Sequence, residues 1–528
     1  MKNQRGDFSR NSRILFLSTI AFFIGIISAG LAKLLLQLIN LFTNIFYYGE
    51  VSFIARAPSM EFWGSFFIFI PVIGGLIIGL MARYGSEKIR GHGIPEALEA
   101  ILFGKSIMQP KVAILKPLSS AISIGSGGPF GAEGPIIMTG GAAGSIIAQF
   151  FHLTSAERKT LLVAGAAAGM SAVFNTPIAA LLLAIELLLF EWRPRSVVPV
   201  AIASCTAAFM RAHLIGEGVI FPVTSHLPLN DVELISAAFL GLITGVFATL
   251  LSTTLYKLED FFQRLPIHWM WWPALGGLIV GLGGYLQPKA LGVGYDVIAD
   301  LLNNRIAVSA LMMFFLIKLI IWIFALASGT SGGVLAPLLI FGCCIGTLFS
   351  TVVPGGHTAG VWALIGMGAV MGGMMRSPLT AIIFCFELTK DTEILLPLLI
   401  ASTVAYAFTV WAMKRSILTE KVARRGFDIY REYSVDPLER HLIKDVFIPV
   451  KSEDKISVPG PVVFPEESCR AAADRMARFQ VTQLPVVLAT DHSQVGIVTL
   501  ADLLKARRHD FQEEFEKETL FPIIRIQS

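Results

Sequence analysis

Apolar segments follow one another from Ile14 to Ala412, and many of them are too short to cross a bilayer. The stretches at 14–41, 62–83, 234–256 and 308–327 are long enough, since a crossing helix needs about 20 apolar residues. Those near 95–103, 112–124, 134–150, 160–173 and 176–190 stop early and are broken by Gly or Pro. In hydrocarbon every backbone N–H and C=O must be satisfied internally, so a helix can end at membrane depth only where protein or a water-filled cavity covers its end. The segment lengths therefore predict an α-helical polytopic membrane protein, a bundle of tilted or broken helices around internal cavities.

The composition agrees. Mean hydropathy is +0.68 over the whole chain, with only 15% charged residues against roughly 25% in a soluble domain. A net charge of +4 gives no case for nucleic-acid binding. The charges are clustered. Lys2, Arg5, Arg10 and Arg13 face one acid, Asp7, in the first 13 residues, and Lys414, Arg415, Lys421, Arg424 and Arg425 follow the last long apolar run. The positive-inside rule then predicts cytosolic N- and C-termini and an even number of crossings; the cell (inner) membrane is the expected location. Apolar segments continue for about 400 residues beyond the first, which reads as a retained helix and not as a signal peptide. Cys205, Cys343, Cys344, Cys385 and Cys469 lack CxxC or metal-ligand spacing, so packing is expected of them and no metal site or disulfide framework is.

The chain repeats itself. Gly169–Leu187, GMSAVFNTPIAALLLAIEL, matches Val370–Leu388, VMGGMMRSPLTAIIFCFEL, without a gap. Pro177 stands opposite Pro378 and Glu186 opposite Glu387. Upstream of each lies a glycine-rich element, GSGGPFGAEGP at 125–135 and GTSGGVLAP at 329–337. Two similar halves with matching broken segments point to a binding site between them near the midplane. Whether the halves are parallel or inverted is not legible here.

Three glycine-rich turns run into a proline and then apolar residues: Gly91-His92-Gly93-Ile94-Pro95-Glu96, Gly131-Ala132-Glu133-Gly134-Pro135 and Gly332 to Pro337. Proline suits the first turn of a helix, where its missing N–H costs nothing. Each turn therefore reads as a helix N-terminus, which offers unpaired N–H donors and about half a positive charge. Converging ends of this kind would bind an anion with no buried Lys or Arg to hold it too tightly. Glu133 is the candidate acid among them, because an ionisable residue at membrane depth marks a functional site by default. A carboxylate beside N–H donors imitates an anion. It would occupy the anion site and leave it on protonation or under competition.

These segments, with AAAGMSAVFNTPIAALLLAIE at 166–186 and RSPLTAIIFCFELT at 376–389, resemble in order and spacing the CLC family of chloride channels and proton–chloride exchangers, over about residues 14–425. The resemblance implies a homodimer with one pore per subunit and about eighteen helices in two inverted halves. It implies that Glu133 is the gate and that the anion path runs along His92, Gly93, Ile94, Pro95, Ala132, Gly134, Pro135, Gly333, Val334, Leu335, Ala336 and Leu418. The path's contacts would come chiefly from the backbone amides of Gly134, Val334, Leu335 and Ala336.

The departures from the family pattern are informative. His92 stands where a serine is usual and Leu418 where a tyrosine is usual, so both hydroxyl donors of the central site are missing. An imidazole still donates an N–H. Ala132 replaces a basic residue common before the gate. Leu187 stands where exchangers commonly keep an internal proton-carrying glutamate, and Glu191, slightly more than a turn further on, is the candidate substitute. Leucine carries no proton, so the sequence leans to a gated chloride channel, with a proton-coupled chloride antiporter as the alternative. A membrane sensor signalling through its tail, or an enzyme, finds less support, since no nucleophile–base pair or metal cluster stands out. No cofactor is required.

The expected organisation is a cytosolic N-terminus at 1–13, a transmembrane anion-transport domain at 14–425, a linker at 426–440, a small α/β unit at 441–510 and a C-terminal tail at 511–528. Val462 to Leu504 resembles a CBS motif, with a helix near Arg470–Arg478, strands at QLPVVL and VGIVT separated by the turn Thr490–Ser493, and a second helix from Ala501. CBS motifs pair to form an adenine-nucleotide cleft, in which Asp502 would hold the ribose. Only one full motif is visible, so the other subunit would have to supply the partner.

Overall fold

The computed structural model describes residues 13–223, 228–353, 358–427, 429, 437–449, 460–490 and 493–515. The basic N-terminus with Lys2, Arg5 and Arg10, most of the 426–440 linker, the centre of the 490–493 turn and the end of the C-terminal tail lie outside the described residues. The chain forms two compact units that divide after Tyr430.

The first unit holds seventeen α-helices between Arg13 and Ala423 among the described residues. Six stretches are apolar and long enough to cross a membrane: Arg13–Tyr48, Gly64–Tyr84, Pro194–Leu214, Asp231–Gln263, Val308–Ala327 and Leu395–Ala423. Pro194–Leu214 is the least apolar of the six, because Arg195, Arg211 and His213 dilute it. The outer surface carries exposed Phe22, Phe66, Phe239, Leu250 and Trp411. So large an apolar exposure suits hydrocarbon and not water. Cys205 lies on that exposed surface, unlike the other four cysteines, so packing does not explain it.

The short segments fold as expected into partial helices, Ile94–Leu102, Pro110–Gly125, Glu133–Gln149, Ser155–Phe174 and Pro177–Leu183, the last continuing as a π-helical turn Ala184–Leu189. Their second-half counterparts include Leu335–Phe349, Ala359–Met375 and Pro378–Thr389. Glycine pairs let these helices touch backbone to backbone: Gly140 against Gly165 in the first half and Gly342 against Gly366 in the second.

The repeat becomes physical where the halves meet. The Glu186 carboxylate accepts from the backbone N–H groups of Leu379 (3.3 Å) and Thr380 (2.9 Å). The Glu387 carboxylate accepts from those of Ile178 (3.1 Å) and Ala179 (2.8 Å). Each glutamate near the end of its own helix thus caps the start of the other's, which satisfies orphan donors at both ends. That reciprocity requires the two helices to run antiparallel, so the halves are inverted. The buried lysines repeat the pattern. Lys116 donates to the carbonyls of Ile89 and Gly91, and Lys318 to those of Ala290 and Gly292. All four charges therefore fasten backbone.

Glu387→Ala strips two N–H groups of their acceptor, and an unsatisfied buried donor costs about 1–3 kcal/mol. The variant is expected to melt at a clearly lower temperature in detergent, with Glu387→Gln, which keeps an acceptor oxygen, in between. Equal melting of Glu387→Ala and the parent would remove the capping role.

The second unit contains an antiparallel sheet of order β1-β3-β2, with β1 at Ile448–Pro449, β2 at Gln483–Val487 and β3 at Gln494–Thr499. Helices Cys469–Phe479 and Leu500–Phe515 flank it. Cys469, Ala472, Met476, Leu484, Val486, Val498 and Leu503 form its core. Asp502 is buried and closes a capping box. It accepts from the Thr499 amide (3.0 Å) and hydroxyl (2.7 Å), while its own N–H donates to Thr499 Oγ1. Burial works against its charge, but the bonds from Thr499 and the nearby Lys505 outweigh it and hold the carboxyl below its usual range.

Candidate anion pathway

Gly93, at φ +92°, turns the chain into helix Ile94–Leu102, a backbone conformation an L side chain rarely adopts. Glu96 reaches back to accept from the Gly93 N–H at 2.9 Å, and its other oxygen pairs with Arg425 at 2.6 Å. The second turn meets the third across the repeat axis. Gly131 N–H donates to the Gly333 carbonyl (3.2 Å) and Gly333 N–H to the Gly131 carbonyl (2.9 Å). The first turn closes on both: a Cβ on Gly134 would lie 1.8 Å from the His92 carbonyl oxygen and 3.3 Å from Gly333 Cα. The starts of Ile94–Leu102, Glu133–Gln149 and Leu335–Phe349 therefore converge, and their dipoles direct partial positive charge at one place.

The Glu133 carboxylate sits there. The side chain is fully buried and folds back over Gly131 towards Gly333. Oε1 accepts from the Tyr295 hydroxyl at 3.0 Å. The backbone N–H groups of Glu133 itself and of Ala336 act on the carboxylate, but Oε2 makes no hydrogen bond of ordinary geometry among the described residues. A negative group thus occupies the point where helix starts would attract an anion, and an anion can take that place only when the carboxylate leaves.

His92, Ile94, Pro95, Ala132, Pro135, Val334, Leu335 and Ala336 are all buried around this point, and the His92 Nδ1 has no hydrogen-bond partner among the described residues. Leu418 is fully buried at the start of Ile417–Ala423, which packs on Ile94–Leu102. A cavity of about 500 Å³ opens on this side, lined by Arg90, Glu96, Glu99, Met138, Trp269, Lys421 and Arg425 among others. Its charges are largely matched: Arg425 bridges Glu96 and Glu99, and Lys421 faces Glu259 at 3.4 Å. Glu133 does not line this cavity.

Glu191, the proton-path candidate, is held by neighbours close to it in the chain. It accepts from the Ser196 hydroxyl and lies near Arg193 and Arg195. Leu187 is buried in the π-helical turn.

Two tyrosines escape a sequence reading. Tyr295 follows Gly292-Val293-Gly294, which stands to Gly91-His92-Gly93 as Glu387 stands to Glu186, so the repeat held its signal. Tyr256 gave none. It comes from helix Asp231–Gln263, and its hydroxyl donates to the Ile417 carbonyl beside Leu418.

A family described as "Voltage gated chloride channel" matches residues 74–410, and the CBS domain matches residues 453–509. The "H(+)/Cl(-) exchange transporter ClcA" of Klebsiella pneumoniae is 32% identical over 358 residues, which cover 64% of this chain and 74% of that protein. A crystal structure of a slow cyanobacterial Cl-/H+ antiporter matches with TM-score 0.69 and 23% identity, over 79% of this chain and 99% of that one. A eukaryotic CLC transporter matches with TM-score 0.65 and 20% identity, over 96% and 90%. At those identities the two structures show the fold alone. With its inverted halves, its converging helix starts and a family match over most of the membrane unit, the chain belongs to the CLC family of membrane-spanning anion-transport proteins and carries a CBS domain.

Proposed function

We propose that this protein exchanges chloride for protons, using Glu133 as the site where the two meet. The observation that carries this reading is the buried Glu133 carboxylate seated where the helix starts converge. An anion enters that seat only after the side chain is displaced, and protonation is what frees a carboxylate from N–H donors and a phenol. Each chloride passage is then tied to a proton.

The sequence alone leans to a channel because Leu187 and Leu418 lack proton-carrying or hydroxyl groups. The relatives favour exchange instead, since ClcA and the cyanobacterial protein bear exchanger names. The inner end also has more to close it than Leu418: Tyr256 ties down the Ile417 carbonyl, and Leu418 is buried.

The test uses proteoliposomes with a chloride gradient, no pH gradient and a clamped potential. Protons are expected to move uphill at a fixed ratio to chloride. Chloride flux without proton movement would restore the channel reading. Glu191 remains the proposed inner proton acceptor, although it must first leave Ser196 and the two arginines. Loss of proton movement in Glu191→Gln supports it, and retained coupling removes it.

The same reading places both termini in the cytosol of a cell membrane and makes the protein a homodimer. At the CBS unit, adenine-nucleotide binding is the proposal. Asp502 keeps one oxygen beyond the capping box, facing Lys505 at 3.5 Å.

A further inference from the structure

We propose that Tyr295 is the latch of the gate: its phenol holds the Glu133 carboxylate in the anion seat, and this hydrogen bond sets how readily the seat empties. The inference rests on Glu133 being the gate, but not on whether the transport is coupled to protons.

The hydroxyl donates to Glu133 Oε1 at 3.0 Å. Tyr295 opens helix Tyr295–Leu302 just after Gly294, at φ +82°, so the backbone delivers the ring to the seat from the second half of the chain. Lys318 fastens this turn by donating to the Gly292 and Ala290 carbonyls. The ring is held edge-on by Phe174 (6.0 Å) and Phe221 (6.2 Å), and Phe174 packs in turn on Phe384. Side-chain packing therefore fixes the ring whether or not the hydroxyl has a partner. Only the last atom is committed to the carboxylate.

Around the pair stand the rings of Phe174 and Phe221 and the backbone of Gly131, Ala132, Gly333 and Ala336, with the Ala132 N–H acting on the Tyr295 hydroxyl. The nearby charges are Asp296, the next residue along the helix, and Lys318, which is bound to its two carbonyls. No ion pair joins either to Glu133 among the described residues. Among the described residues Tyr295 is the side chain that donates to the buried carboxylate, and a donor to a charged acceptor is among the stronger hydrogen bonds.

A phenol favours the carboxylate over the carboxyl form. Removing it loosens the seat and lets protonation begin at higher pH. Tyr295→Phe keeps the ring and its packing. It is expected to raise chloride flux at neutral pH by about 3- to 10-fold and to move the half-activation pH upward by roughly 0.5–1 unit. In a Glu133→Gln background the same change should alter flux by less than about twofold.

The experiment measures chloride flux against pH for the parent, Tyr295→Phe, Glu133→Gln and the double variant, with proton movement recorded in parallel. An alkaline shift that vanishes in the Glu133→Gln background supports the latch. An unshifted profile in Tyr295→Phe, or an equal effect in both backgrounds, overturns it. The proton trace is read separately: parent flux that moves no protons defeats exchange, while the pH profiles still decide the latch.

Discussion

Glu133→Gln is expected to give steady chloride flux that no longer responds to pH and moves no protons. Glutamine has the shape of the glutamate but cannot exchange a proton with water, so the step that ties the two ions together is gone. It is also neutral, and the convergent helix starts attract it less. A hydrogen bond to a charged group is worth about 1.5–3 kcal/mol. Its weakening lowers occupancy of the seated pose by roughly 10- to 100-fold. The check is paired chloride and pH recording in proteoliposomes across pH 4.5–8. A flux–pH profile matching the parent's would remove Glu133 from the gate.

Gly134→Ala is expected to destroy the site. The new Cβ would stand 1.8 Å from the His92 carbonyl oxygen, and that oxygen belongs to a turn fixed by Gly93, whose own Cβ position lies 2.6 Å from the Gly134 carbonyl. Neither partner is a flexible side-chain tip, so the two turns must separate. Overpacking of this kind costs about 1–3 kcal/mol or more. At the upper end that is a loss of around 100-fold in the population of the native arrangement. Gly30→Ala is the internal control. Gly30 has nothing within 4 Å of its Cβ position in the long first helix, so alanine there should leave melting unchanged or raise it slightly. Size-exclusion profiles, melting in detergent and flux would be measured for both variants. Parent-like melting and flux in Gly134→Ala would mean the turns are not in contact.

What the sequence determined by itself is carried by local pattern. The hydropathy of short broken segments dictated a bundle with buried helix ends, because hydrocarbon admits no unsatisfied backbone. The glycine–proline turns marked where helices start, and Glu133 among them marked the acid of the site. The match between 169–187 and 370–388 announced two halves, and QLPVVL and VGIVT announced the strands of the small unit. The tertiary structure alone decided how those pieces face each other. The residues of the repeat alone left the direction of the halves open; the family resemblance implied inversion, and Glu186 and Glu387 capping one another's helices give it a physical form. Glu191, close to Leu187 along the chain, turns instead to Ser196 and the arginines. Tyr295 meets Glu133 from 162 residues away, and Tyr256 meets Ile417 from 161. The physical reason is that a helix start is encoded in a few adjacent residues through backbone conformation and proline, whereas a side chain's partner depends on which distant element packing brings within 3 Å of it. Hydropathy and spacing along one chain carry no direct measure of that distance.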